Sequence, residues 1–254
     1  LGFVLVFDFM PTDLSEVLRN VERPLSVETV KSYMLMLLKG VAYMHANSIM
    51  HRVSHFPREH LLKDLKPANL LIDSKGILKI ADFGLARVYS NENNRPYSHQ
   101  VATRYTHLFH TPNLRWYRAP ELLYGARNYS LSVDLWYFLV NFITTVRSVG
   151  AIFGELLNNS PLFPGENDIE QLWFVIRVLG TPTEEAWPGL RNLPDYNKIS
   201  FTNCKPVAFE DVILEASPLA IDLLKKFLRY EPSERVTAEK VNSLEFSMVL
   251  LYKY

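Results

Sequence analysis

The chain has 254 residues, 48% of them hydrophobic, and its 27 basic and 27 acidic residues leave no formal net charge. That length suffices for one large core or two small ones, and the charge balance gives no electrostatic case for nucleic acid or an anionic membrane as the main partner. Cys204 is the single cysteine, which excludes an intrachain disulfide and fits a reducing compartment.

No basic segment, apolar stretch and cleavage site open the chain, so no secretory leader is expected. The most apolar run, Leu135 to Val146, spans about twelve residues and is too short to cross a bilayer. Leu1 to Phe9, rich in Val and Phe, reads as a buried strand stopped by Pro11. Asp13 is placed to cap a short helix, Leu14 to Arg19, and Ser26 a long one. In the long helix Val30, Tyr33, Met34, Leu37, Leu38, Val41 and Met44 fall at helical spacing and make one apolar stripe for the core. Further on, Asp168 to Leu179 reads as an amphipathic helix with Leu172, Val175, Ile176 and Leu179 inward. Ser217-Pro218 opens another with Leu219, Leu223, Leu224 and Phe227.

The chemistry concentrates in Asp64-Leu65-Lys66-Pro67-Ala68-Asn69-Leu70-Leu71 and in Asp82-Phe83-Gly84. Between them, Leu70-Leu71-Ile72 and Ile77-Leu78-Lys79-Ile80 flank Asp73-Ser74-Lys75-Gly76, the pattern of two short strands around a glycine-containing turn. Such a hairpin brings Asn69 and Asp82 to one end. Two oxygen donors there suit Mg²⁺, which commonly accompanies phosphates. Lys66 supplies a point charge for a phosphoryl oxygen, and Asp64 a carboxylate able to orient or deprotonate a hydroxyl.

His51-Arg52, Asp64 to Asn69, Asp82-Phe83-Gly84 and Ala119-Pro120-Glu121 stand in the order of the protein-kinase catalytic lobe. The wording resembles cyclin-dependent kinases more narrowly. Leu5-Val6-Phe7-Asp8-Phe9-Met10, Gly84-Leu85-Ala86-Arg87 and Trp116-Tyr117-Arg118-Ala119-Pro120-Glu121-Leu122-Leu123 carry that resemblance. Ser160 to Gly165, Leu179 to Pro182 and Leu193 to Phe201 narrow it to one subfamily. It implies a protein-kinase-like α+β fold, here a mainly helical C-terminal lobe with a short β-hairpin at the cleft. It also implies phosphoryl transfer from ATP with Mg²⁺ to Ser or Thr of protein substrates in cell-cycle or related signalling, a possible cyclin or other activating partner, and residence in nucleus or cytoplasm.

By the same resemblance Asp64 accepts the substrate proton, Lys66 neutralises the γ-phosphate, and Asn69 and Asp82 hold Mg²⁺. Phe7 matches the residue before the hinge. Asp8 and Met10 offer backbone groups to adenine, Asp13 a ribose contact, and Leu71 the apolar floor beneath the base. Thr103 matches the threonine that touches the catalytic aspartate. Ser98 stands at the activation-loop phosphosite, where Arg52 and Arg87 would receive the phosphate. Glu121 and Arg235 form a buried ion pair, Asp134 braces the catalytic-loop backbone, and His51 is a packed residue.

The sequence departs from the family pattern in two ways. It begins at the strand feeding the hinge, so the N-terminal β-lobe, with its Gly-rich loop, strand lysine and helix glutamate, is expected to be missing. And three segments interrupt family wording: Val53 to Lys63, Tyr105 to Arg115 and Tyr137 to Arg147, each eleven residues long. Equal lengths at three unrelated places are unlike loop variation. Val, Tyr, Lys and Arg codons at the junctions accommodate GT and AG ends, so all three fit short introns translated in frame; the competing reading is a family with adapted loops. The third insertion enters a helix. Eleven residues turn about 1100°, some 20° past three turns, so that helix either continues in register about 16 Å longer or bulges and exposes Phe138, Leu139, Phe142 and Ile143. Residues 241–254 also leave the family pattern, and the chain as written is expected to be weakly active or inactive, with a non-catalytic scaffold or mis-spliced fragment as the alternative.

Overall fold

The computed structural model describes residues 4, 6–19, 24–47, 49–50, 65–82, 87–88, 115–126 and 134–242. A three-stranded antiparallel sheet lies at one end of a helical body. Its order is β1 (Thr12–Asp13), β3 (Leu70–Ile72), β4 (Leu78–Ile80). The β3–β4 hairpin forms because Asp73 closes it. The Asp73 Oδ1 accepts the Lys75 and Ile77 backbone N–H groups at 2.8 and 2.9 Å, and Gly76 takes the left-handed φ of 80° that the turn requires. A separate pair, β2 (Ile49–Met50) with β5 (Arg87–Val88), sets Met50 opposite Arg87.

α1 (Leu14–Arg19) starts where Asp13 Oδ1 accepts the N–H groups of Ser15 and Glu16 at 2.8 and 3.1 Å. α2 (Val27–Ala46) starts at Ser26, whose hydroxyl accepts the Thr29 N–H. Its Val30, Met34, Leu37, Leu38, Val41 and Met44 are buried and Tyr33 is half-buried, as the spacing predicts. α2 packs against β4, α4 (Asp134–Asn158) and α8 (Ala238–Asn242). The remaining helices are α3 (Pro120–Leu123), α5 (Asp168–Leu179), α6 (Phe209–Val212) and α7 (Pro218–Phe227). Asn167 caps α5 and Ser217 caps α7, each side chain accepting an N–H three residues on.

The C-terminal half of α4 is the centre of this packing. Val149, Ile152, Phe153 and Leu156 are buried. A Cβ at Gly150 would lie 2.5 Å from the Phe227 Cβ, so glycine is what lets α4 and α7 approach. α4 runs unbroken through the third insertion, so of the two outcomes open to it the lengthened helix is the one adopted. Val241, in the tail that leaves the family pattern, is buried as well.

Two expectations fail. The apolar N-terminal run is not a buried strand: Val4, Val6, Phe7 and Phe9 are 80–90% exposed, and no strand pairs with residues 6–11 among the described residues. Apolar character buries a strand only when sheet neighbours or a packed face receive it, and the nearby sheet is edged by Thr12–Asp13 instead. Leu219 is the second: 41% exposed, it sits in the first turn of α7, where Ala220 and Ile221 take the core side.

Glu121 and Arg235 form the expected ion pair. Arg235 Nη1 and Nη2 donate to the two carboxylate oxygens at 2.6 and 2.8 Å, and its Nε and Nη2 also donate to the carbonyls of Arg229 and Tyr230. Both side chains are almost fully buried. Removing one member leaves a buried charge unmatched, so Glu121→Gln should cost roughly 3–5 kcal/mol in urea unfolding; a loss below about 1 kcal/mol would show the pair to be dispensable.

Candidate active site

The sheet assembles most of the residues that matter. The β3–β4 register sets Leu70 opposite Ile80, and Ala81 N–H donates to the Asn69 carbonyl at 2.8 Å. Asn69 and Asp82 therefore leave the same end of the hairpin. The β1–β3 register sets Asp13 opposite Leu71, so the segment that follows residues 7–10 enters on the same sheet. Lys66 immediately precedes the 3₁₀ turn Pro67–Asn69 that delivers Asn69.

Asn69 is buried, and its amide nitrogen has no hydrogen-bond partner among the described residues. Asp82 is exposed and takes a left-handed φ of 63°, a conformation that costs a non-glycine residue energy and is tolerated at turns and sites. The unpartnered nitrogen is a hydrogen-bond donor and no metal ligand; what fits a hard, partly hydrated cation such as Mg²⁺ is the pairing of the Asn69 amide oxygen with the exposed Asp82 carboxylate at one end of the hairpin. No cluster of three or more His, Cys, Asp or Glu residues suited to a metal occurs among the described residues.

Residues 7–10, expected at the hinge, lie alongside. Asp8 pairs with Lys79 of β4 at 3.6 Å, both side chains largely exposed, while Phe7 is exposed and Met10 half-buried. Asp13 serves as the α1 cap. Asp64, Arg52, Ser98 and Thr103 lie outside the described residues, as do the first insertion and all of the second but Arg115. Arg87 is placed as backbone in β5, opposite Met50, which stands two residues before Arg52 in sequence.

Residues Arg115–Arg118 are clamped from two sides. Arg115 Nε and Arg118 Nη1 reach the Asp168 carboxylate at 3.0 and 3.2 Å. The Trp116 indole donates to the Gly165 carbonyl at 3.1 Å, and the fully buried Gln171 donates to the Trp116 carbonyl while accepting from Gly165 N–H. From α4, Ser148 donates to the Tyr117 carbonyl at 3.0 Å, and the Tyr117 hydroxyl donates to Glu155 at 2.6 Å. Burial and the adjacent carboxylate push the Tyr117 hydroxyl pKa far up; burial raises that of Glu155 above the ordinary carboxylate range.

Gln171 and Glu155 carry no weight in the sequence reading. For Glu155 a signal exists: it is the one charged residue in the apolar run Val149 to Leu157. Because its folded pKa is raised, Glu155 holds its proton more tightly in the folded chain. The stability this lends is complete below the ordinary carboxylate pKa and lost as pH rises through the raised folded value. Glu155→Gln keeps an acceptor for Tyr117 and should flatten that decline, so that the variant gains on the unaltered chain as pH rises above the ordinary carboxylate range. A thermal-unfolding series against pH checks this; a steeper decline in the variant would contradict it.

Comparison with known proteins gives the same family. The protein kinase domain model matches residues 2–247. Cyclin-dependent kinase 20 of Danio rerio is 59% identical over 239 residues, 94% of this chain and 60% of that protein. The Mus musculus protein of the same name is 54% identical over 253 residues, 100% of this chain and 61% of its own length. Cyclin-dependent kinase 7 of Xenopus laevis is 41% identical over 236 residues, 93% of this chain and 57% of that protein. The chain thus spans about three-fifths of the length of these relatives. Among the described residues no helix is long and apolar enough to cross a membrane. The hairpin geometry, the buried Glu121–Arg235 pair and this likeness agree: the chain belongs to the protein kinase family, in its cyclin-dependent-kinase branch.

Proposed function

We propose that the chain is the hinge and C-terminal lobe of a Ser/Thr protein kinase that moves the γ-phosphoryl group of ATP onto Ser or Thr of protein substrates. The observation that carries this is the β3–β4 register, which brings Asn69 and Asp82 to one end of the hairpin with Asp13 and Leu71 on the neighbouring strands. Asn69 and Asp82 would hold Mg²⁺, which when bound supplies charge neutralisation of the phosphates. Lys66 would set its ammonium on a phosphate oxygen, and Asp64 would take the substrate hydroxyl proton. The extended hinge, Phe7 to Met10, would offer backbone groups to the adenine and Leu71 its apolar floor. Thr103 would steady Asp64, and a phosphate on Ser98 would be received by Arg52 and Arg87. A cyclin or other activating partner would act through an N-terminal β-lobe outside the described residues.

A second reading, a non-catalytic kinase-lobe scaffold, is favoured by α4. Its unbroken course through residues 137–147 sets the Asp134 backbone about 16 Å further along the axis from Ser148 than family spacing requires. An aspartate so displaced is lost as a brace for the catalytic segment, and small misplacements at a reacting group cost much rate. Insertions 53–63, 105–115 and 137–147 are proposed as foreign to the functional enzyme.

Two measurements test this. Sequencing the messenger RNA across Arg52–Asp64, Arg104–Trp116 and Trp136–Ser148 should give products lacking all three insertions; their presence in translated messages would favour the scaffold. In thermal unfolding, millimolar Mg-ATP should stabilise the chain as written by less than about 1 kcal/mol, and the chain with all three insertions excised by more. Asp82→Asn should abolish the gain. An equal response in all three proteins would overturn the assignment of Asn69 and Asp82.

A further inference from the structure

Arg147 closes the third insertion and is 1% exposed, the largest fully buried side chain described. Its Nη1 donates to the Leu228 carbonyl at 2.6 Å, and the guanidinium carbon lies 5.9 Å from the centre of the Phe163 ring. Nη2 has no hydrogen-bond partner among the described residues. Burial pushes its pKa down to about 9, and the neighbouring Arg235 guanidinium pushes the same way. Glu121 and the Tyr230 phenol pull the other way, but Glu121 is the one carboxylate among them and both of its oxygens already serve Arg235. The slot thus holds a cation it satisfies only in part, beside the Phe163 ring and the Leu228 carbonyl, with Phe163, Phe227 and Leu228 all buried. Such a slot suits an apolar or aromatic side chain.

The helix carries one. Trp136 lies eleven residues earlier, about 20° from the same angular position and three turns away. The match extends to its neighbours. Asp134-Leu135-Trp136 and Thr145-Val146-Arg147 are two tripeptides that lead into the same Ser148-Val149-Gly150, one across the insertion and one directly. Leu135 for the buried Val146 exchanges one aliphatic residue for another; Trp136 for Arg147 exchanges a cation for an aromatic ring. The second insertion makes a useful contrast. It closes on Arg115 where Arg104 would otherwise stand, the same residue type, and Arg115 is fully engaged with Asp168 and the Glu166 carbonyl.

We infer that one core slot of this fold has two alternative occupants on α4: Arg147 in the continuous helix, and Trp136 when residues 137–147 are looped out or absent. The exchange also decides the position of Asp134. With Trp136 in the slot, Asp134 stands three residues before Ser148, where a carboxylate can brace the catalytic segment; with Arg147 in the slot, Thr145 stands there. Looping out eleven residues breaks helical hydrogen bonds and costs closure entropy, which keeps the continuous helix in place despite the misfit. Deleting the segment removes that cost.

The test reads folding alone, so it stands or falls independently of phosphoryl transfer. In the full chain, Arg147→Met should raise Tm by about 2–10 °C, as expected for replacing a poorly satisfied buried charge. Deletion of 137–147 should raise it by at least as much, and hydrogen exchange at Ser148–Leu156 should stay as slow as in the unaltered chain. A fall in Tm for Arg147→Met would show the guanidinium to be integral to the core and overturn the proposal. A stable Arg147→Met protein beside a deletion variant that unfolds, or that loses protection at Ser148–Leu156, would overturn the exchange with Trp136.

Discussion

The helical body depends on a charge pair that burial makes unforgiving. Glu121 opens α3 directly after the clamped segment Arg115–Arg118, and Arg235 lies 114 residues away, beyond α7. Closing that distance with two short charged hydrogen bonds fixes the start of α3 against the segment that follows α7. The desolvation cost of two buried ions is offset only because every donor has an acceptor. Arg235 meets this with its bonds to Glu121 and to the carbonyls of Arg229 and Tyr230. Arg147, a further buried charge in the neighbourhood, leaves its Nη2 without a partner among the described residues, and so contrasts with Arg235.

The hairpin follows different physics. Nothing in β3–β4 is deeply charged; its register comes from Asp73, Gly76 and alternating burial of Leu70, Ile72 and Leu78. A slip of one residue would send those side chains to solvent, so the turn chemistry that sets the register also sets which residues emerge at its far end. Asn69 and Asp82 are brought together by that local rule rather than by contacts of their own, and the left-handed Asp82 marks where the chain leaves the ladder. Asp13 has a similar double duty. It caps α1, which holds β1 on β3, and so keeps the hinge exit beside Leu71.

Much of this was legible in the sequence because it rests on short-range rules. Helical spacing located α2, α5 and α7; the polar turn located the hairpin; Ser and Asp before apolar runs located the caps. The ion pair of Glu121 with Arg235 was legible only through family wording, since no local rule links residues 114 apart. What failed was the N-terminal run. Phe7 and Phe9 have the composition of a core strand, but burial is a property of neighbours, and composition carries no record of them. Gln171 was illegible for the reverse reason: its importance lies in two backbone groups, of Gly165 and Trp116, that exist as partners only once the fold is made. Arg147 was noticed as the end of an insertion, yet the sequence left open whether it would be extruded.

The course of α4 through residues 137–147 shows how a helix can accommodate eleven added residues. Eleven residues return a helix almost to its starting face, so α4 could lengthen without rotating its buried stripe, and Val149, Ile152, Phe153 and Leu156 keep the core intact. The cost falls on everything whose position is measured along the axis rather than around it. Angular register is preserved while axial register shifts by about 16 Å, so packing survives and the placement of Asp134 does not. Packing is set around the helix axis and the position of its N-terminal end along it, so if Asp134 braces the catalytic segment as proposed, the lengthened α4 would keep its core contacts and move that brace.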